Sequence, residues 1–174
     1  MKRQKGFSLI ELLIVVAIIL IIAAIAIPNL LRSRMAANEA SAVGSLRTIN
    51  TAEVTYSSTF PDSGYAPNLA NLGGAAGACN AGATGTPAAA CLLDPVLTLG
   101  VKSGYAFTSV GGTAALNGAL QTYISSATPT NIGTTGQRGF GSDQSGVIYY
   151  TLNGTAATSA NSALQTAFAM VCGR

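Results

Sequence analysis

An unbroken apolar segment near the N-terminus dominates the hydrophobic pattern of the chain. Residues 7–27 are apolar except for Ser8 and Glu11. As an α-helix, a segment of this length measures about 30 Å, which is the thickness of the hydrocarbon core of a bilayer. The pattern therefore predicts a membrane-spanning helix that begins at Phe7.

A helical pattern continues beyond Pro28, although proline lacks a backbone donor and normally bends or ends a helix. Apolar positions recur every three or four residues from Val43 to Tyr56, and charged residues are interleaved with them. We therefore expect one long helix, 7–58, that is bent or locally loosened near Pro28. Its second half should pack an apolar stripe onto a head domain. On this helix Glu39 has no basic residue four positions on with which to pair.

The rest of the chain, 59–174, predicts a small globular head. Residues that break regular structure are frequent in 59–103, so this part is expected to be largely a loop. Within it, Asp94 followed by Pro95 indicates the start of a short helix that Gly100 ends.

Strand signals follow this short helix. Residues with high β-propensity, partly in alternation, predict three strands, at 105–110, 121–126 and 146–152. Consecutive strands separated by Gly, Pro and Asn turns favour an antiparallel meander over 104–152. Packed on the second half of the long helix, this meander would give an α+β fold.

Charge changes this picture little. Three basic residues at the start, Lys2, Arg3 and Lys5, account for the whole formal charge of +3. Only 9% of the residues are charged, and 49% are hydrophobic. Without a basic stripe in the remaining chain, no nucleic-acid partner is predicted.

Two ordinary interpretations explain part of the N-terminal segment. A secretory signal peptide would have the basic start, and Ala24-Ile25-Ala26 imitates its cleavage site, but the apolar run is too long. A plain membrane anchor fits the length. It leaves Glu11 without a purpose, except as a charge near the headgroups and the positive end of the helix.

A more specific resemblance lies in residues 5–11, Lys-Gly-Phe-Ser-Leu-Ile-Glu, and continues to Pro28. This string resembles the class III signal of type IV prepilins and pseudopilins. The resemblance implies a leader, 1–6, that a prepilin peptidase removes after Gly6. It also implies N-methylation of the new N-terminal residue, Phe7.

The same resemblance implies a role for the apolar segment. Residues 7–27 would remain as the membrane anchor and filament core, and Glu11 would pair with the Phe7 amine of a neighbouring subunit. Pro28 lies where such helices pack or partly unwind in filaments. The head, 59–174, would adopt the type IV pilin fold, and its stretches 102–105 and 139–148 also look like pilin or pseudopilin head motifs.

Three cysteines behind a membrane-targeting segment favour an oxidising compartment and a disulfide. Cys79 and Cys91 are the favoured pair, because they are close in sequence and the glycines between them let the chain turn. Such a bond would stabilise the head by about 2–3 kcal/mol. In the alternative, Cys172 bonds to one of them and fastens the C-terminus.

Catalytic chemistry finds little support in the sequence. The chain has no histidine, and Lys102 is the only lysine after the leader, where it is expected to be a solvated loop cation. Major pseudopilins with a similar head often hold calcium, but here only Asp143 and Ser142 offer a start for such a site. We therefore predict no enzyme activity, no metal and no cofactor.

Together these patterns predict a structural subunit, major or minor, of a bacterial type IV pilus. A pseudopilin of a type II secretion system is the alternative, and an anchored single-pass domain that never polymerises is a more distant one. The expected partners are copies of the chain in a helical filament, other pilins, the prepilin peptidase and an inner-membrane platform protein. The chain would span the inner membrane once before assembly, and then lie in a surface pilus or a periplasmic pseudopilus.

Overall fold

The structure is a computed structural model that describes residues 7–74, 79 and 84–158. Its first element is helix α1, Leu9–Thr59, which continues through Pro28. Two short helices follow, α2 (Leu69–Gly73) and α3 (Pro95–Thr98). The five strands are β1 (Val101–Lys102), β2 (Tyr105–Gly111), β3 (Tyr123–Pro129), β4 (Gly139–Asp143) and β5 (Ile148–Thr151).

The chain divides into two compact units between Arg34 and Met35, and α1 runs through both. In the second unit, the five strands form one antiparallel sheet in sequence order. The longest pairing joins β2 to β3, with Tyr105 opposite Pro129 and Gly111 opposite Tyr123. The prediction of an α+β fold, with a long helix and an antiparallel meander, is thus confirmed.

The second half of α1 buries one face against the sheet. Leu46, Ile49 and Tyr56 lie in one apolar cluster with Tyr105 of β2 and Phe140 of β4. Burying each of these large side chains stabilises the head by about 1.5–3 kcal/mol. This is the stripe that the helical periodicity predicted.

The region before the sheet contains more regular structure than the sequence indicated. Helix α3 forms as predicted, because the Asp94 carboxylate accepts a hydrogen bond from the Leu97 N–H at 2.9 Å and Gly100, with φ of 77°, follows the helix. Helix α2, which Asn68 caps, was not predicted. A helix of five residues that ends in glycine is too short to show a hydrophobic period.

Strand β4 is the largest difference from the prediction of three strands. Its sequence, Gly-Phe-Gly-Ser-Asp, lacks β-branched residues, so propensity did not reveal it. The structure explains both glycines, because a Cβ at Gly139 would strike the Thr155 carbonyl and one at Gly141 would strike that of Ala157. The chain after β5 therefore lies directly on the backbone of β4.

Candidate assembly surface

The N-terminal part of α1 exposes its apolar side chains on all sides. From Phe7 to Leu31, the large hydrophobic residues are between 46% and 79% exposed. The helix has a window of mean hydropathy 3.3, and by length and composition it could cross a membrane. Such a surface needs cover, because exposed apolar area in water is unfavourable. Lipid or other apolar helices would provide that cover.

Glu11 lies in the first turn of this helix, and the single chain already gives it a partner. Its Oε2 accepts a hydrogen bond from the Ser8 backbone N–H at 3.0 Å. This is half of a capping box, in which a glutamate reaches back to the residue that precedes the helix. The Ser-x-x-Glu spacing could have revealed this contact from the sequence. Glu11 therefore also benefits from the positive end of the helix dipole.

The other predicted residues of this segment are partly described. Phe7 is 77% exposed, and Gly6 lies outside the described residues. Pro28 lies inside a continuous helix. Since proline has no N–H, the carbonyl of Ala24, four residues earlier, lacks its usual helical donor.

Glu39 joins the second half of α1 to the chain just before β4. Its Oε1 accepts from the backbone N–H groups of Gln137 and Arg138, at 2.9 and 3.2 Å. Its Oε2 accepts from the Arg138 Nε at 2.9 Å. The sequence showed only that Glu39 had no partner within the helix. The partner lies almost a hundred residues away, where no local pattern could indicate it.

Asn50 makes a second polar contact between α1 and the sheet. Its Nδ2 donates to the Ser142 Oγ at 2.8 Å, and its Oδ1 accepts from the Tyr123 hydroxyl at 3.2 Å. Ser125 also donates to this oxygen, at 3.4 Å. Because all four residues are buried, these bonds fix the position of the helix along the sheet.

Glu53 makes the third polar contact, and its side chain is fully buried. Its Oε1 accepts from the Ser109 hydroxyl at 2.7 Å, and its Oε2 from the Ala66 N–H at 2.9 Å. Burial raises the pKa of Glu53, while these two hydrogen bonds act to lower it. Both donors lie far from Glu53 along the chain, so no local sequence pattern indicated them.

Three charged side chains of the loop and sheet, those of Lys102, Asp94 and Asp143, also have partners. Lys102, expected to be a solvated loop cation, lies on β1 and contacts the Asp94 carboxylate at 3.4 Å. The hydrogen bond from the Leu97 N–H is the main cause that lowers the pKa of Asp94. Asp143 accepts from the N–H of Ser145 within its own turn. Within the described ranges, no group of three metal-ligating side chains occurs.

Cys79 and Cys91 are bonded in the structure, with their Cα atoms 5.3 Å apart. This is the pair that the sequence favoured. Cys172, the third cysteine, lies outside the described residues, as does the rest of 159–174.

Comparison with known proteins gives one family model and two named relatives. The prokaryotic N-terminal methylation motif matches residues 1–27. Over 118 residues the chain is 37% identical to the type IV major pilin protein PilA of Myxococcus xanthus, a match that covers 58% of this chain and 54% of that protein. Over 39 residues it is 64% identical to the type IV wide pilus major component PilA4 of Thermus thermophilus, covering 22% of this chain and 30% of that protein. No solved structure matches the chain.

An apolar N-terminal segment of helix that lies within a methylation motif, followed by an antiparallel sheet packed on the second half of the same helix, is typical of a pilin-like protein. The resemblance found in the sequence is confirmed: the N-terminal segment matches the methylation motif, and the chain is similar to two proteins named as type IV pilus components. Both relatives are named as pilus components rather than as enzymes. The chain spans about half the length of the first relative and less of the second.

Proposed function

We propose that the chain is a structural subunit of a bacterial type IV pilus. The observation that carries this proposal is the exposed apolar surface from Phe7 to Leu31, on a chain whose head is otherwise well packed. The methylation motif over 1–27 and the relatives named as major pilus components support it. They favour a pilus over a secretion pseudopilus, because both named relatives are pilus proteins.

In this proposal the same helix has two successive environments. A prepilin peptidase removes the leader, 1–6, after Gly6, and Phe7 becomes the methylated N-terminus. Residues 7–27 first span the inner membrane with the head, 59–174, outside the cytoplasm. An inner-membrane platform protein, driven indirectly by an assembly ATPase, then transfers the subunit to the filament.

The role proposed for Glu11 follows from its position. A carboxylate among packed apolar helices is costly unless a cation meets it, and the Phe7 amine is the nearest cation that cleavage creates. Each incoming subunit would dock where its Glu11 meets the amine of a neighbour. Within its own chain Glu11 is held by the Ser8 N–H, so it reaches the filament already oriented at the helix end.

Mass spectrometry of the protein from membranes and from sheared surface filaments tests the proposal. We expect a mature chain that begins with N-methylated Phe7 in both fractions, and filaments that disappear when the gene is deleted. An uncleaved chain would exclude a pilin. A cleaved chain that is absent from surface filaments would favour the secretion pseudopilus.

A further inference from the structure

Gly44, in the middle of α1, has no explanation within the described part of the chain. A glycine inside a helix costs about 1 kcal/mol relative to alanine. Such a glycine is often needed because a side chain would collide with a neighbour. At Gly44, however, an added Cβ would meet no atom within 4 Å. The absence of a side chain at Gly44 therefore leaves space at the surface of α1 that another molecule can occupy.

Gly44 opens into a groove between α1 and the start of β4. The groove encloses about 450 Å³. Ala40 and Gly44 line it with small side chains, and Val43 and Phe140 add apolar surface. Small residues on a helix allow the backbone of another chain to approach closely.

Two arginines border this groove, and only one of them is neutralised. Arg138 is bound by Glu39 at 2.9 Å. Arg47 is exposed, and no acidic side chain among the described residues contacts it. An occupant of the groove should therefore bring a negative charge to Arg47.

The chain itself carries a complementary anion. The other acidic side chains of the described second unit are already bound or buried, namely Glu39, Glu53, Asp94 and Asp143. Asp62 is exposed in the corner just after α1, and within the described ranges it makes no ion pair. Among the described residues of the second unit, Arg47 and Asp62 are thus the exposed cation and the exposed anion without an ion pair, and they can neutralise each other between two copies.

We propose that this groove binds a second copy of the chain, with the exposed corner at Pro61 and Asp62 of one copy over Gly44 of the next. Asp62 then pairs with Arg47. The contact uses two different surfaces, so it repeats from copy to copy instead of closing a two-fold dimer, and it builds an open filament when the rotation between copies does not close a ring. This inference rests on the proposed function and adds a specific contact between heads.

Filament yield tests the groove itself. The variants Gly44→Leu and Thr48→Leu are produced in cells that lack the chromosomal gene, and sheared filaments are measured against the membrane-bound protein. Thr48 is the matched control, because it is exposed on the same helix and does not line the groove. We expect Gly44→Leu to lower the yield about tenfold or more, because the larger side chain fills the space that the second copy would occupy. Thr48→Leu should assemble normally.

The denaturation midpoint separates this effect from misfolding. Replacing glycine in a helix where space is open should keep or raise the stability of the subunit, while assembly is lost. If Gly44 instead had a structural role within the monomer, Gly44→Leu would lower both the denaturation midpoint and the filament yield. Normal filaments from Gly44→Leu, or an equal loss from Thr48→Leu, would overturn the proposal.

A charge exchange tests the occupant. Arg47→Asp and Asp62→Arg should each reduce the filament yield, and the double variant should recover most of it. Loss in either single variant without recovery in the double variant would show that these two residues are not partners. If the wild-type chain itself forms no filaments, the proposed function fails as well. If the wild-type chain forms filaments and the variants assemble as well as the wild type, only the proposed groove contact is wrong.

Discussion

Glu53 shows how a single buried carboxylate can hold a helix, a loop and a strand together. Its two oxygens accept from the Ala66 N–H and the Ser109 hydroxyl, and no part of the residue is exposed. Glu53→Leu would leave both donors unsatisfied in the core, at about 1–3 kcal/mol each. Glu53→Gln keeps an acceptor for Ala66, and the Ser109 hydroxyl can turn to accept from the new amide.

We therefore expect Glu53→Leu to lower the free energy of unfolding by about 2–4 kcal/mol, and Glu53→Gln to lower it far less. Urea unfolding of the full chain in detergent measures both. An equal loss in the two variants would mean that the loss of the carboxyl group itself, rather than the unsatisfied donors, determines the effect.

The raised pKa of Glu53 leads to a second prediction, which concerns the pH dependence of the free energy of unfolding. Because burial raises the pKa of Glu53 in the folded state, folding favours its protonated form. The resulting contribution to stability is complete below the ordinary pKa of 4.5 and is lost as the pH rises through the raised value. Unfolding free energies measured between about pH 4 and pH 8 should thus show the wild type losing stability relative to Glu53→Gln. A constant difference would contradict a raised pKa.

Glu11 allows capping and charge to be separated by two substitutions. Glutamine can still accept from the Ser8 N–H but carries no charge, whereas alanine loses both. We expect both variants to insert into the membrane and both to assemble poorly or in the wrong register. Only Glu11→Ala should also loosen the first helical turn, by about 0.5–2 kcal/mol. Hydrogen exchange of 8–12 in detergent measures that loosening, and normal filaments from Glu11→Gln would show that the charge is not required.

At the level of elements, the sequence predicted those parts of the fold in which apolar residues repeat with a regular period. Helix α1 and the stripe with Leu46 and Ile49 were predictable because they repeat every three or four residues. Strand β4 was not, because its two glycines are explained by the chain packed on them and not by propensity. The polar contacts of α1 were missed for a related reason. Their partners lie on distant strands and loops, and only the folded chain brings them together.

Glu39 is the polar contact best suited to a test at this level. It binds two backbone N–H groups and the Arg138 guanidinium, and thereby ties α1 to the start of β4. We expect Glu39→Ala to destabilise the head by about 2–4 kcal/mol, because it removes the carboxylate that accepts from two backbone N–H groups and from the Arg138 guanidinium. Arg138→Ala should cost less, since Glu39 would keep both backbone donors. Chemical denaturation measures the free energy of unfolding of both variants. A larger loss of stability from Arg138→Ala would show that the ion pair, rather than the backbone hydrogen bonds, makes the main contribution.

The two units of the molecule differ in whether their apolar side chains are buried within the single chain. From Met35 onward, the second unit has its own core, and the polar contacts of Glu39, Asn50 and Glu53 all lie within that unit. The large apolar side chains from Phe7 to Leu31 have no cover in the single chain. Membrane attachment and the packing of apolar helices in a filament are therefore expected to depend on the first unit, and the stability of the fold on the second.

A chain that begins at Met35 tests this division. We expect it to be soluble without detergent, to be monomeric by size-exclusion chromatography, and to unfold at nearly the same urea concentration as the full chain. The helix from Met35 should persist because packing, rather than its own propensity, stabilises it. A chain that begins at Ser45 is the matched control, since it removes Glu39 and should unfold at a lower urea concentration. If the chain from Met35 aggregates or unfolds as easily as the control, the first unit contributes to the stability of the head, and the two are not energetically separate.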